Sequence, residues 1–156
     1  MPHPQTDLLN GLTPRETEEV LALGSRAPAP AGTVLFRLGD PADRVYLLTR
    51  GRIALTLPIQ VRGEEEDILV EERLAGETVG WSGLVPPYRF TLKATAKSES
   101  EVLIFPRDEM LEHFAARPGV GLRVTHNLAG VIGRRLGIFQ AMWAREMQRA
   151  VEVRFS

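Results

Sequence analysis

The feature that most narrows what this chain can become is a run of glycines at its centre. Gly76-Glu77-Thr78-Val79-Gly80-Trp81-Ser82-Gly83 sets three glycines close together, followed by Leu84-Val85-Pro86-Pro87-Tyr88-Arg89-Phe90-Thr91. Glycine adopts positive φ or lets backbones touch, and a short turn of this kind can aim several N–H groups at one point. Such a turn can cradle an anion. Arg89 follows, a planar fork of donors suited to phosphate, and the alternating, β-prone stretch 90–96 reads as a strand leaving the turn. Taken alone, the same pattern also describes a glycine-rich turn between strands with a solvated Arg.

The flanks supply more strands. Segments 33–36, 45–48, 53–61 and 68–74 are apolar and β-branched, with turns at Gly39-Asp40-Pro41 and Arg50-Gly51, and 101–105 adds a last strand. Short strands broken by turns at this density imply an antiparallel sandwich or roll. Pro28 and Pro30 restrict 25–30 to a connector or an edge strand, because proline cannot donate within a sheet. Residues 62–67 form a hairpin tip carrying Glu64, Glu65, Glu66 and Asp67, which repel one another on a solvated turn and bind nothing specific.

Helices bracket the strands. Thr13 caps, Pro14 takes the first helical position and Glu16 completes a capping box, for a helix reaching about Leu23 and ended by Gly24. Pro106 opens a second helix with Asp108 and Glu109 in its first turn, fading near Arg117-Pro118-Gly119. From 120 to about 153 the chain holds no proline and repeats apolar residues at helical spacing: Leu128, Ile132, Leu136, Phe139, Trp143 and Met147, with Val131 and Met142 beside them. That stripe exceeds what packing on a small roll requires. Gly130, Gly133 and Gly137 weaken a helix, and imply either close approach of a neighbour or a bend.

The order of parts resembles the cyclic-nucleotide-binding domain of the cyclic-AMP receptor protein superfamily, over roughly residues 8 to 145. The resemblance rests on Ala31-Gly32-Thr33-Val34-Leu35-Phe36-Arg37-Leu38-Gly39-Asp40, on Arg44-Val45-Tyr46-Leu47-Leu48-Thr49-Arg50-Gly51-Arg52-Ile53-Ala54-Leu55, on the glycine run, and on Ser100-Glu101-Val102-Leu103-Ile104-Phe105-Pro106. It implies a mainly β fold, an antiparallel β-roll (a jelly-roll-like double sheet) with short N-terminal helices and a long C-terminal dimerisation helix. The implied division is a helical segment 1–24, a roll 25–117 with its phosphate-binding cassette at 76–91, and a long helix 118–156. It further implies a ligand site at Gly80, Trp81, Ser82, Gly83, Leu84, Tyr88, Arg89 and Phe90, with Arg89 on the phosphate. The helical stripe becomes a homodimer seam of coiled-coil type. Two positions depart from the family. Trp81 stands where its nucleotide binders carry a Glu that accepts from the ribose, and an indole only donates; Phe90 replaces the small residue after the Arg. Losing a charged acceptor lowers affinity by about 1.5–3 kcal/mol, roughly ten- to a hundredfold or more.

Composition removes several function classes. The 156 residues contain no cysteine, which excludes disulfides, thiolate metal sites and cysteine nucleophiles and fits a cytoplasmic protein. No stretch approaches the roughly 20 apolar residues of a membrane span, and the polar opening is unlike a signal peptide. His3, His113 and His126 all fall outside the strands, so a cupin-type metal enzyme is not expected, and no hydrolase elbow or Walker motif occurs. Net charge is -1, yet six Arg against Glu146 and Glu152 make the segment from Val120 basic. Interleaved with apolar residues, those Arg read as a solvated helical face. With the chain stopping at Ser156, direct sequence-specific DNA binding through a following module is not expected. Two functions remain. One is a non-enzymatic regulatory sensor that binds a small anionic ligand, with cyclic AMP and cyclic GMP as candidates, and signals to a partner protein through its helix and homodimer. The other is a degenerate domain with a self-filled pocket that serves dimerisation or docking.

Overall fold

The computed structural model describes residues 6–155. His3 and the rest of 1–5, with Ser156, lie outside the described residues. Helix α1 (Pro14–Leu21) begins as its sequence dictates: Glu16 N–H donates to Thr13 Oγ1 at 3.1 Å and Thr13 N–H donates to Glu16 Oε1 at 2.9 Å. It ends earlier than expected, at Leu21. Gly24 is no left-handed cap; a Cβ there would stand 2.7 Å from the Phe105 ring, so close packing is what requires glycine.

Eight strands follow: β1 (Ser25–Ala29), β2 (Val34–Phe36), β3 (Arg44–Arg50), β4 (Arg52–Val61), β5 (Glu64–Leu74), β6 (Thr78–Val79), β7 (Lys93–Ala96) and β8 (Ser100–Pro106). They pair antiparallel into two four-stranded sheets, ordered β1-β8-β3-β6 and β2-β7-β4-β5. The proline-bearing β1 lies on an edge. The acidic run 64–67 is not a hairpin tip. Val61 pairs with Glu64, so Arg62 (φ 52°) and Gly63 (φ 82°) alone make the turn and all four acids lie in β5. Both turn residues have positive φ, the geometry that matches the twist of the flanking strands.

The core has two parts, and β3 belongs to both. Tyr46 and Leu48 face the space between the sheets with Phe36, Ile53, Leu55, Val79 and Phe90. Leu47 faces the other way, onto Leu8, Leu9, Val20, Phe105, Met110, Val120, Val124 and Leu128. A strand covered on both faces needs apolar residues without alternation, which is why 45–48 is a continuous apolar run. Helix α2 (Arg107–Ala116) leads through Arg117 into α3 (Pro118–Phe155), which crosses the roll and runs on past it. From 143 to 155 every residue is exposed.

Candidate ligand-binding site

Strand β6 stops at Gly80, whose φ of 77° turns the chain into the 3-10 turn Trp81–Leu84. A Cβ on Gly83 would come within 2.2 Å of the Arg44 carbonyl oxygen. The turn is thus seated directly on the β3 backbone, an approach only glycine permits. Beneath it lies a small space walled by Phe36, Leu55, Gly80, Trp81, Ser82, Phe90, Leu92 and Arg135, with a volume of about 10 Å³. That is room for about one water molecule.

Of the eight residues expected from sequence to hold a ligand, four line this space: Gly80, Trp81, Ser82 and Phe90. Phe90 is buried between the sheets, stacked on Phe36 with centroids 3.8 Å apart and rings 6° from parallel. Gly83 packs on β3, and Leu84 turns toward α3. Tyr88 and Arg89 face elsewhere. Tyr88 (φ 58°) lies under the Arg107 guanidinium at 4.3 Å, and Arg107 Nη1 donates to the Ala42 carbonyl at 2.6 Å. Arg89 is exposed, and its Nη1 donates to the Gly39 carbonyl at 3.1 Å. Successive residues of an extended chain point to opposite sides, so inserting Phe90 turns Arg89 outward.

The cation at the site comes instead from α3. Arg135 is 6% exposed, and its Nε donates to Glu71 Oε2 at 2.7 Å. Glu71 Oε1 accepts from Arg73 Nη1 at 2.7 Å, and Arg73 Nη2 donates to Asp7 Oδ2 at 2.7 Å. Arg73 Nε reaches the Thr78 carbonyl at 3.0 Å, while Asp7 accepts from the Thr78 backbone and hydroxyl. Burial alone would raise the Glu71 carboxyl, but Arg135 and Arg73 outweigh it and hold the group below the ordinary 4.5. Burial also pulls Arg135 below its usual value, with Glu71 counteracting. Sequence reasoning missed Arg135. Its signal was the buried repeat Val124, Leu128, Val131, which continues at helical spacing to 135.

The expected dimer seam divides. Leu128 is buried on the chain's own roll, Ile132 packs beside it, and Phe139 lies against the inter-sheet core. Leu136, Trp143 and Met147 are exposed at 57%, 67% and 44%. Within the chain, a Cβ on Gly133 or Gly137 would meet nothing within 4 Å. An open apolar groove of about 250 Å³ runs between Pro86, Leu111, Phe114 and α3. Among the described residues, no helix is long and apolar enough to cross a membrane, and no cluster of three His, Asp or Glu is placed to hold a metal ion.

Two antiparallel sheets, a glycine-seated turn and a long helix laid across the roll define a β-roll with a long C-terminal helix. The chain belongs to the cyclic nucleotide-binding domain family, of the cyclic-AMP receptor protein type, whose model matches residues 27–117, more than half of it. It is 29% identical over 129 residues to the cyclic AMP receptor protein of Thermus thermophilus, covering 83% of this chain and 56% of that protein. The crystal structure of the Thermus thermophilus catabolite activator protein superposes with a TM-score of 0.72 at 26% identity, over 92% of this chain and 63% of that one. The N-terminal domain of a transcriptional regulator from Streptomyces coelicolor A3(2) gives 0.68 at 25% identity, over 83% and 88%. The chain therefore spans little more than half the length of the curated relative it matches.

Proposed function

We propose that this chain is a regulatory sensor domain in which a small anionic ligand beneath the cassette repositions α3, and α3 carries the signal through a homodimer to a partner protein. The observation that carries this reading is the place of Arg135. The helix with the exposed apolar stripe also supplies the buried cation of the site. Any occupant must therefore touch the element that would signal, and a ligand shifts an equilibrium only through contacts that differ between its states.

Cyclic AMP and cyclic GMP are the ligands to test first, given the family and the cyclic AMP receptor protein among its relatives. Neither fits a space of about 10 Å³ unless Phe90 or Arg135 moves. Titration calorimetry with both nucleotides, paired with hydrogen exchange across α3, tests the proposal. Saturable binding with changed protection around Arg135 supports a sensor. Binding that leaves α3 protection unchanged counts against coupling. The Phe36–Phe90 stack favours a second reading, a docking or dimerisation module with a self-filled pocket. A folded, dimeric protein silent to both nucleotides and to simple oxoanions would sustain that one.

A further inference from the structure

We propose that Arg135 is the anion-recognising residue of this domain and that Glu71 is its built-in competitor, occupying the guanidinium until an oxoanion displaces it. This deepens the sensor reading and rests on it. A guanidinium carries five N–H donors. Arg135 uses only Nε, toward Glu71 at 2.7 Å, and among the described residues neither Nη group has a hydrogen-bond partner. Its side chain is nevertheless only 7% exposed. Ser82 lines the same space, is 4% exposed, and its hydroxyl likewise has no partner among the described residues. Neither group is sealed within protein, so both remain open to an occupant of the space they line with the apolar walls of Phe36, Phe90 and Leu92.

The chemistry that satisfies them is an oxoanion with two oxygens on one centre, a carboxylate or a phosphate ester. Such a pair accepts side by side from the Nη fork, and a further oxygen accepts from Ser82. Arg89 cannot serve, because it is exposed on the Gly39 carbonyl outside the space. Losing Arg135 does not strand Glu71. Its other oxygen keeps Arg73 at 2.7 Å, and Arg73 is itself held by Asp7 and the Thr78 carbonyl. Arg135 is therefore the releasable member of the ion network. Because the space is only about 10 Å³, its release must move the side chain or α3 itself.

The test titrates inorganic phosphate and cyclic AMP into the intact chain, followed by calorimetry and by the emission of Trp81 in a Trp143→Phe background. Wild type, Arg135→Gln, Glu71→Gln, Ser82→Ala and Arg89→Ala are compared after circular dichroism confirms each fold. Removing the competing carboxylate in Glu71→Gln should tighten binding about tenfold, and Arg135→Gln should weaken it about tenfold or more, the scale of one charged hydrogen bond. Arg89→Ala should stay within about twofold, as expected of a surface charge. A response to phosphate alone identifies a small oxoanion, and one to cyclic AMP alone a nucleotide; either supports the assignment. Binding abolished by Arg89→Ala and untouched by Arg135→Gln overturns the proposal while leaving a sensor. A folded wild type that responds to neither probe overturns both. Should Glu71→Gln fail to fold, the contrast between Arg135→Gln and Arg89→Ala decides alone.

Discussion

Glu71 spends each of its carboxylate oxygens on a different arginine, and this makes it the most informative single residue for acid titration. Its carboxyl lies below the ordinary 4.5 in the folded protein. Ionised Glu71 therefore stabilises the fold at any pH above 4.5, and that contribution disappears as pH falls through the folded value. Thermal denaturation of wild type and Glu71→Gln should differ at neutral pH and converge on acidification below 4.5. A gap that widens in acid would refute the assignment. Residue identity explains what the sequence could and could not tell here. The glycines were legible because each answers a local demand: positive φ at Gly80, contact with the Arg44 carbonyl at Gly83. Arg89 and Phe90 show where a family position stops short: it says which residue is present, whereas the competition of Phe90 for the core decides which side chain points in. Arg135 stands next to an exposed Arg134 on a helix rich in arginine, so only its acid partner on β5 distinguishes it.

At the scale of elements, the sheets and helices were readable from punctuation and period, and errors fell where two demands overlap. The stripe on α3 is such a place. The helix is apolar on two faces, and one face, at Val124, Leu128 and Val131, is used by its own roll. The other holds Leu122, Leu136 and Trp143, separated by multiples of seven residues, with Met147 four further on, the repeat of a coiled-coil seam. Helical period alone cannot say which face meets which neighbour. The two faces make different predictions. Leu136→Lys with Trp143→Lys should convert a dimer to monomer in sedimentation velocity while leaving the roll folded. Leu128→Ala should keep the association state and lower stability by about 2–5 kcal/mol, the range for a buried Leu truncated to Ala. A double lysine variant that sediments as a dimer would remove α3 as the seam.

For the molecule as a whole, the ion network joins parts that are remote in sequence: Asp7 before α1, Glu71 and Arg73 on β5, and Arg135 on α3. Arg73 is its hub, nearly fully buried, with Glu77 a third carboxylate at 3.4 Å. Replacing it by Met leaves acids without their cation, and such losses typically cost about 3–5 kcal/mol. Chemical denaturation of Arg73→Met should show a loss on that scale, well beyond what an exposed pair such as Arg149 with Glu146 supplies. A loss under about 1 kcal/mol, the range of surface pairs, would mean the network is not what ties the segments together. No local pattern predicts such a hub, since its partners meet only after the fold has formed. The acidic strand β5 matters at this scale too. It is the outer strand of its sheet, eleven residues long, with Ile68, Leu69 and Leu74 exposed, and a free edge of that kind can template another strand. Glu64, Glu65 and Glu66 along that edge repel a second copy approaching strand to strand, while Asp67 is paired with Lys93 at 2.8 Å. Growth by open-ended stacking is thereby discouraged, whereas the proposed pairing through the helix, being two-fold, would close on itself and stop at a finite particle.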